Sequence, residues 1–305
     1  MKPQAFLFDC DGTTVQSESL AMKVALDTAY GHFGKDYDPT LISFLSGKSF
    51  RQICDAVEEN VGEKIPAAAY PALDKKQLHD TIAVLAADVT PVPGIVPQLQ
   101  RLQTEGKPCA IVTSSPLERV EPCIDRVQDD GKTLRPYFPQ VFSAEDPKIF
   151  PEGPRNKPDP SIYLHAAKTL GVEPGQSLAF EDSLSGVRSA VRAGIPVVAI
   201  VGADHITDKE ARAGQLRAAA AQPGEGFQGV PDIIVMHHWD ELPAVESALA
   251  RSASYQDAVQ LYNLENSREK SAPSKSAVPE AAYQRAPVAQ SLTAADLHRA
   301  AARTQ

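Results

Sequence analysis

Asp9 and Asp11 stand either side of Cys10 and just before Gly12, in the stretch Ala5-Phe6-Leu7-Phe8-Asp9-Cys10-Asp11-Gly12-Thr13-Thr14. Both carboxylates reach one small volume if the chain turns after Asp9, and Gly12 permits such a turn. Like charges that close repel unless a cation lies between them, so the pair predicts a hard divalent metal such as Mg²⁺. A plain alternative is a surface turn, since Asp and Gly are turn formers. A calcium loop of the EF-hand kind is excluded, because it needs glycine sixth and glutamate twelfth, and here glycine is fourth.

Further along the chain lie other groups suited to phosphoryl chemistry: Thr113 and Ser114, Lys157 within Asn156-Lys157-Pro158-Asp159-Pro160, and Glu181 with Asp182. A carboxylate nucleophile (Asp9) can attack phosphorus and form an aspartyl-phosphate. A second carboxylate (Asp11) can protonate the leaving oxygen and later take a proton from water. A hydroxyl (Thr113) and an ammonium (Lys157) can hold phosphate oxygens, and Asp182 and Glu181 can complete a metal site.

The elements that must position these groups read as alternating strands and helices. Residues 5–8, 109–112, 141–142, 177–180, 196–201 and 232–235 are short apolar runs of the buried-strand kind. Helices are expected between and after them, one opened by Pro93-Gly94 and ended by Gly106, one through 117–124, and others at 160–171, 185–193, 209–221 and 241–250. The fold class is therefore α/β, a doubly wound parallel sheet, in which ligands collect at the carboxyl ends of the strands. From Glu18 to about Val89 the pattern is helical throughout, which reads as a small cap domain inserted after the first strand. The expected organisation is a core of residues 1–16 and 90–250, a cap of 17–89, and a tail of 251–305 rich in Ala, Ser, Gln and Pro. That tail is expected to be mostly disordered, with a marginal helix at 293–303.

Each candidate also has an ordinary structural explanation. Thr113-Ser114-Ser115 before Pro116, and Glu181-Asp182-Ser183 before the next helix, are good helix starts. Lys157 among prolines reads equally as a solvated loop lysine. The weight lies in the ensemble, since each group falls at the end of a predicted strand. In the cap, Gly47 permits a close approach, and Lys48 or Arg51 is the candidate to pair with a second anionic or hydroxylated part of a substrate. The alternative there is that Gly47 ends one helix, Ser49 caps the next, and Lys48 is solvated.

Phe-Asp-Cys-Asp-Gly-Thr at 8–13, Ile-Val-Thr-Ser at 111–114, Lys-Pro-Asp-Pro at 157–160 and Phe-Glu-Asp-Ser-Leu-Ser-Gly at 180–186 resemble the motifs of the haloacid dehalogenase (HAD) superfamily. The match is best to its helical-cap subgroup of β-phosphoglucomutase-like and sugar-phosphate phosphatases, and it spans about residues 4–250. The resemblance implies a Mg²⁺-dependent nucleophile at Asp9, with Asp11 as acid/base and as a metal ligand through its backbone carbonyl. It further implies phosphate binding by Thr113 and Lys157, metal binding by Asp182, and Glu181 on the metal directly or through water.

Asp11 argues against dehalogenation, because a halide leaves without a proton. A phosphomutase is the alternative on the same catalytic residues. Such mutases resemble this chain but carry a histidine in the first cap helix, where Ala21 stands here, and an arginine in a cap loop that Ser46-Gly47-Lys48-Ser49-Phe50-Arg51 matches imperfectly. The expectation is a Mg²⁺-dependent phosphatase acting on a small phosphorylated metabolite, a sugar phosphate by resemblance. A non-catalytic interaction protein on this fold is a further alternative, disfavoured by the intact Asp9, Asp11, Lys157 and Asp182.

The 305 residues, 43% hydrophobic and 23% charged, can form a sizeable core. A net charge of −9 disfavours a nucleic-acid surface. No apolar run approaches membrane-spanning length, and the first strand begins too near Met1 to leave room for a signal peptide. The 4 cysteines lack paired or metal-ligand spacing, so they read as reduced residues of a cytoplasmic protein. Nothing in the sequence specifies an oligomeric state.

Overall fold

Ala5–Phe8 has no polar face, so only a sheet covered on both sides can accept it as a strand. In the computed structural model, which describes residues 2–271 apart from 46, 47, 127 and 129, all four residues are fully buried in strand β1. β1 is followed by the helices α1 (Glu18–His32), α2 (Leu41–Leu45), α3 (Phe50–Val61) and α4 (Tyr70–Asp88). The strand-helix alternation then runs through α5 (Ile95–Thr104), β2 (Cys109–Thr113), α6 (Leu117–Asp125), β3 (Gln140–Ser143) and α7 (Ser161–Thr169). It continues with β4 (Ser177–Glu181), α8 (Leu184–Arg192), β5 (Val197–Ile200), α9 (Lys209–Ala221), β6 (Ile234–Met236), α10 (Leu242–Arg251) and α11 (Tyr255–Ser271).

The strands form one sheet in the order β3-β2-β1-β4-β5-β6, with every pairing parallel. Alternate side chains enter two cores. Phe6, Phe8, Ile111, Phe180 and Ile234 pack with α5, α6, α10 and α11, while Leu7, Ala110, Val112, Ala179 and Val235 pack with α7, α8 and α9. This is the doubly wound α/β sheet expected from the sequence. Connections depart in opposite directions on the two sides of β1, so the carboxyl ends of β1 and β4 open a crevice.

An aromatic group sits directly behind that crevice. The rings of Phe8 and Phe180 stack at 4.8 Å, and Trp239 lies 5.6 Å from the first and 5.0 Å from the second. Trp239 Nε1 donates to the Thr13 carbonyl at 3.3 Å, which ties the turn after β1 to this group.

Helices α1 to α3 have a core of their own, with Met22, Leu26, Ile53 and Val57 buried together. α3 starts with a capping box between Ser49 and Gln52 and ends at Gly62, whose φ of 76° is the left-handed conformation glycine adopts readily. The end of α4 already belongs to the sheet, since Leu85 and Val89 pack in its core. The two crossings between helices and sheet lie side by side: Val15 bridges both Asp11 and Pro91, and Gln16 N donates to Thr90 O at 2.8 Å.

Two stretches differ from expectation. The short helix α2 carries no legible period and was not foreseen. The folded domain also does not stop at 250, because the first turns of α11 bury Ala258, Val259 and Tyr262 in the sheet-side core. Ile234 N donates to Tyr255 Oη at 3.2 Å and Gln256 Nε2 to the Asp232 carbonyl at 3.1 Å, so polar tips anchor this helix alongside its apolar contacts. The helix expected at 293–303 lies outside the described residues.

Candidate active site

Buried strands end here in polar groups because β1, β2 and β4 run out of covered sheet at the same edge. Beyond β1 the chain turns: Gly12, with φ 74°, donates its N–H to the Val15 carbonyl at 2.9 Å. A Cβ at Gly12 would collide with the Asp182 carboxylate, so only glycine lets the two loops approach. Cys10 points into the core, which turns its neighbours Asp9 and Asp11 outward.

Asp9 and Lys157 meet in the middle. Lys157 Nζ donates to Asp9 Oδ1 at 2.7 Å, to Glu181 Oε1 at 2.6 Å and to the Val112 carbonyl at 2.8 Å. Its side chain is 3% exposed, so it is no solvated loop lysine. Glu181 is fully buried, and Tyr163 of α7 donates to the same Oε1 at 2.5 Å. A Cβ at Gly186 would run into the Glu181 carboxylate, which explains a glycine in the first turns of α8.

Asp182 completes the group. The ligand oxygens of Asp9, Glu181 and Asp182 all lie within 4.8 Å of one another. Thr13 Oγ1 donates to Asp182 Oδ1 at 3.2 Å, His205 Nε2 faces its Oδ2 at 3.3 Å, and Arg212 holds its carbonyl at 2.8 Å.

The protonation of these groups reflects crowding. Burial pushes the Asp9 carboxyl well above the usual carboxylate range, the charge of Glu181 pushes it further, and Lys157 offsets only part. Burial likewise raises Glu181 against the opposing pull of Lys157. Burial works against a charged Lys157, but Asp9 and Glu181 outweigh it and hold the amine above the ordinary lysine range. Asp9 and Glu181 therefore share one ammonium, with the Asp182 carboxylate beside them. A hard divalent cation suits this donor set, in both its oxygen ligands and its excess of negative charge.

Asp11 is held by a separate set of donors. Its carboxylate takes partners of its own outside the group of Asp9, Glu181 and Asp182. It accepts from Arg119 Nη2 at 2.9 Å, from Ser115 Oγ at 2.7 Å and, closer still, from Ser17 Oγ. Burial would raise Asp11, yet Arg119 and the two hydroxyls outweigh it and hold the carboxyl below its usual range. The cluster suited to a cation consists of Asp9, Glu181 and Asp182.

The hydroxyls of the second strand end are spent on the site as well. Thr113 is 1% exposed and its Oγ1 accepts from Ser115 N at 3.0 Å, while Ser114 Oγ accepts from Lys157 N at 3.1 Å. None caps α6, whose N-cap is Pro116. Ser183 by contrast does cap α8, accepting from Gly186 N at 3.0 Å.

The cap candidates are placed differently. Lys48 is exposed. Arg51 pairs with Asp55 at 3.0 Å and stacks 3.8 Å from the Tyr70 ring centre, both partners lying within the helices that follow β1. Neither is shown against the strand-end cluster. Ser49 caps α3, accepting from Gln52 N at 3.3 Å, and Gly47 lies outside the described residues.

Sequence reasoning missed Arg119, Tyr163, His205 and Arg212. A signal existed for two of them. Arg119 falls on the stripe of α6 that buries Val120 and Cys123, and Tyr163 on the stripe of α7 that buries Ile162 and Ala166. A polar group on a buried stripe needs a partner.

A family profile described as haloacid dehalogenase-like hydrolase matches residues 3–194. The chain belongs to this family. The HAD-like hydrolase is 30% identical over 204 residues to protein CbbY of Rhodobacter capsulatus, covering 65% of this chain and 85% of that protein. It is 30% identical over 214 residues to hexitol phosphatase A of Escherichia coli, covering 66% and 84%. It is 28% identical over 193 residues to fructose-1-phosphate phosphatase YqaB of the same organism, covering 63% and 93%. Among solved structures, a conserved haloacid dehalogenase-like protein of unknown function from Agrobacterium tumefaciens superimposes with a TM-score of 0.63 at 28% identity, covering 82% of this chain and all of that one. The family, its subgroup of sugar-phosphate phosphatases and the hydrolytic class agree with the resemblance carried by the four motifs.

Proposed function

We propose that this phosphoric monoester hydrolase removes phosphate from a small phosphorylated metabolite, a sugar or sugar-alcohol phosphate, through an aspartyl-phosphate on Asp9. The observation that carries the reading is the meeting of Asp9, Lys157, Glu181 and Asp182 at one sheet edge, drawn from stretches far apart in the chain. The names of the curated relatives, a hexitol phosphatase and a fructose-1-phosphate phosphatase, support the substrate class.

In the first half-reaction an Asp9 oxygen attacks phosphorus, the bond from phosphorus to the leaving alcohol breaks, and Asp11 gives that oxygen a proton. Water then attacks the phosphorus of the aspartyl-phosphate and loses a proton to Asp11. The bond from phosphorus to Asp9 breaks, phosphate leaves, and both carboxyls are restored. Lys157 favours the ionised form of Asp9 against burial and the Glu181 charge and, with the Thr113 and Ser114 hydroxyls, holds the non-bridging oxygens. Asp11, accepting three donors, stands in the ionised form from which the second half begins. The first half needs it protonated, and so turned from part of that set.

Asp9, Asp182, the Asp11 carbonyl and Glu181 would hold a Mg²⁺, which would supply neutralisation of the phosphoryl charge. Glu181 Oε1 already accepts from Lys157 and Tyr163, so its larger part is to orient the lysine. In the cap, taken as residues 17–89, Lys48 is the better candidate for the far part of the substrate, since Arg51 is committed to Asp55 and Tyr70. Ala21, buried on α1, offers no donor or acceptor where the mutases carry a histidine, which favours transfer to water. The cysteines are all unpaired and buried, which supports a reducing, cytoplasmic location. Among the described residues no helix is long and apolar enough to cross a membrane.

The test is phosphate release from a panel of hexose, pentose, hexitol and glycolate phosphates, with and without Mg²⁺, in wild type and Asp9→Asn. Mg²⁺-dependent release by the wild type alone is expected. Equal release by both proteins would overturn the reading.

A further inference from the structure

The loop between β5 and α9 touches the site at one point, and that contact is not accounted for by the chemistry above. Ala203 and Ile206 anchor the loop in the sheet core. Between them, His205 turns its ring toward Asp182, Nε2 to Oδ2 at 3.3 Å, with the side chain 8% exposed. The other ring nitrogen, Nδ1, is buried with no hydrogen-bond partner. A buried polar atom left unpaired is a cost, so the ring is not there to satisfy both of its nitrogens. Its place is fixed by contact: a Cβ on Gly12 would lie 2.8 Å from His205 Cε1, so the imidazole rests against the turn that carries Asp11.

The geometry around Asp182 is correspondingly complete. Its two carboxylate oxygens take Thr13 and His205, and its carbonyl takes Arg212 through Nε at 3.1 Å and Nη2 at 2.8 Å. The same loop also reaches the start of α1. Asp204 N donates to Gln16 Oε1 at 3.0 Å, and Ser19 Oγ donates to Asp204 Oδ1 at 3.3 Å. The loop thus connects the first helix after β1 to one carboxylate of the cluster.

We infer that His205 is a positioning residue for Asp182: its Nε2–H holds the carboxylate in the orientation from which Asp182 takes the divalent cation. Loss of this donor leaves the Asp182 carboxylate held by Thr13 alone, free to rotate, and weakens cation binding before any substrate is present. The inference rests on the reading of Asp9, Glu181 and Asp182 as a cation site.

The experiment uses the full chain and Mn²⁺ as the probe, with free Mn²⁺ counted by its paramagnetic resonance in the absence of substrate. His205→Met removes the donor and keeps apolar bulk. His205→Gln places an amide N–H near the position of Nε2. Asp182→Asn serves as the reference for a damaged site. Partners that orient metal ligands are commonly worth about 10–100-fold in affinity, so His205→Met should weaken Mn²⁺ binding by about tenfold or more, and His205→Gln should recover most of it. Wild-type affinity in His205→Met overturns the inference, as does a His205→Gln variant that binds as weakly as His205→Met, since that pattern marks a packing role. If the wild-type chain binds no Mn²⁺, the cation site falls and this inference with it. If the wild type binds and His205→Met is unchanged, only the inference falls.

Discussion

Lys157 Nζ and Asp9 Oδ1 form a buried ion pair at 2.7 Å, closed from behind by Glu181. Without the ammonium, two buried carboxylates would lose the donor they share. Lys157→Met should therefore lower kcat/KM by at least about 10²-fold, the scale of losing one preorganised donor to developing charge. It should also cost about 3–5 kcal/mol of stability, because breaking a buried pair strands the remaining charge. Steady-state kinetics and urea unfolding read the two effects separately.

Asp11 is met by Arg119 across the crevice. Asp11→Asn should reduce kcat by about 10²–10⁴-fold, the range for a lost general acid and base. Arg119→Met should also lower kcat, by less, because Ser17 and Ser115 still orient the carboxylate. Arg119→Lys should restore part of the loss, which a comparison of kcat across the three variants will show.

Glu58, in α3, is the charge on which the helices after β1 close. It accepts from Lys64 Nζ at 2.7 Å, from Ile65 N at 3.1 Å and from the Tyr70 hydroxyl at short range. These bonds, that to Lys64 first, hold its carboxyl at about 2, against an ordinary 4.5. A depressed folded-state value contributes stability that is complete above the unfolded value near 4.5 and is lost as pH falls through about 2. Glu58→Gln should therefore melt lower than wild type at neutral pH, with the gap narrowing from about pH 4.5 and closing near pH 2. Melting followed by circular dichroism across that range checks the sign.

The sheet and the strand-end groups were legible because each rests on a local rule. Ala5–Phe8, Cys109–Thr113 and Ser177–Glu181 are apolar runs that end abruptly in polar residues, and parallel pairing brings such ends to one edge. What stayed hidden depends on contacts across the fold. Ser115 reads as a helix-start residue, but its hydroxyl goes to Asp11, as does that of Ser17, and α1 begins without a side-chain cap. His205 sits in a loop whose course no local period specifies. The helix α11 escaped notice because it docks through Ala258, Val259 and the amphipathic Tyr255 and Tyr262, while its large aliphatic Leu264 faces solvent. The contact of Asp11 with Arg119 was hidden for the same reason, since the two lie far apart in sequence.

The covalent role of Asp9 is tested most directly by trapping. The enzyme is quenched during turnover of a hexitol or hexose phosphate, reduced with borohydride, and digested for mass spectrometry, since an acyl phosphate is reduced to an alcohol. Conversion of Asp9 to homoserine, absent without substrate and absent in Asp9→Asn, is the predicted result. Steady phosphate release with Asp9 unmodified at every quench time, or with the reduced residue elsewhere in the chain, would contradict it.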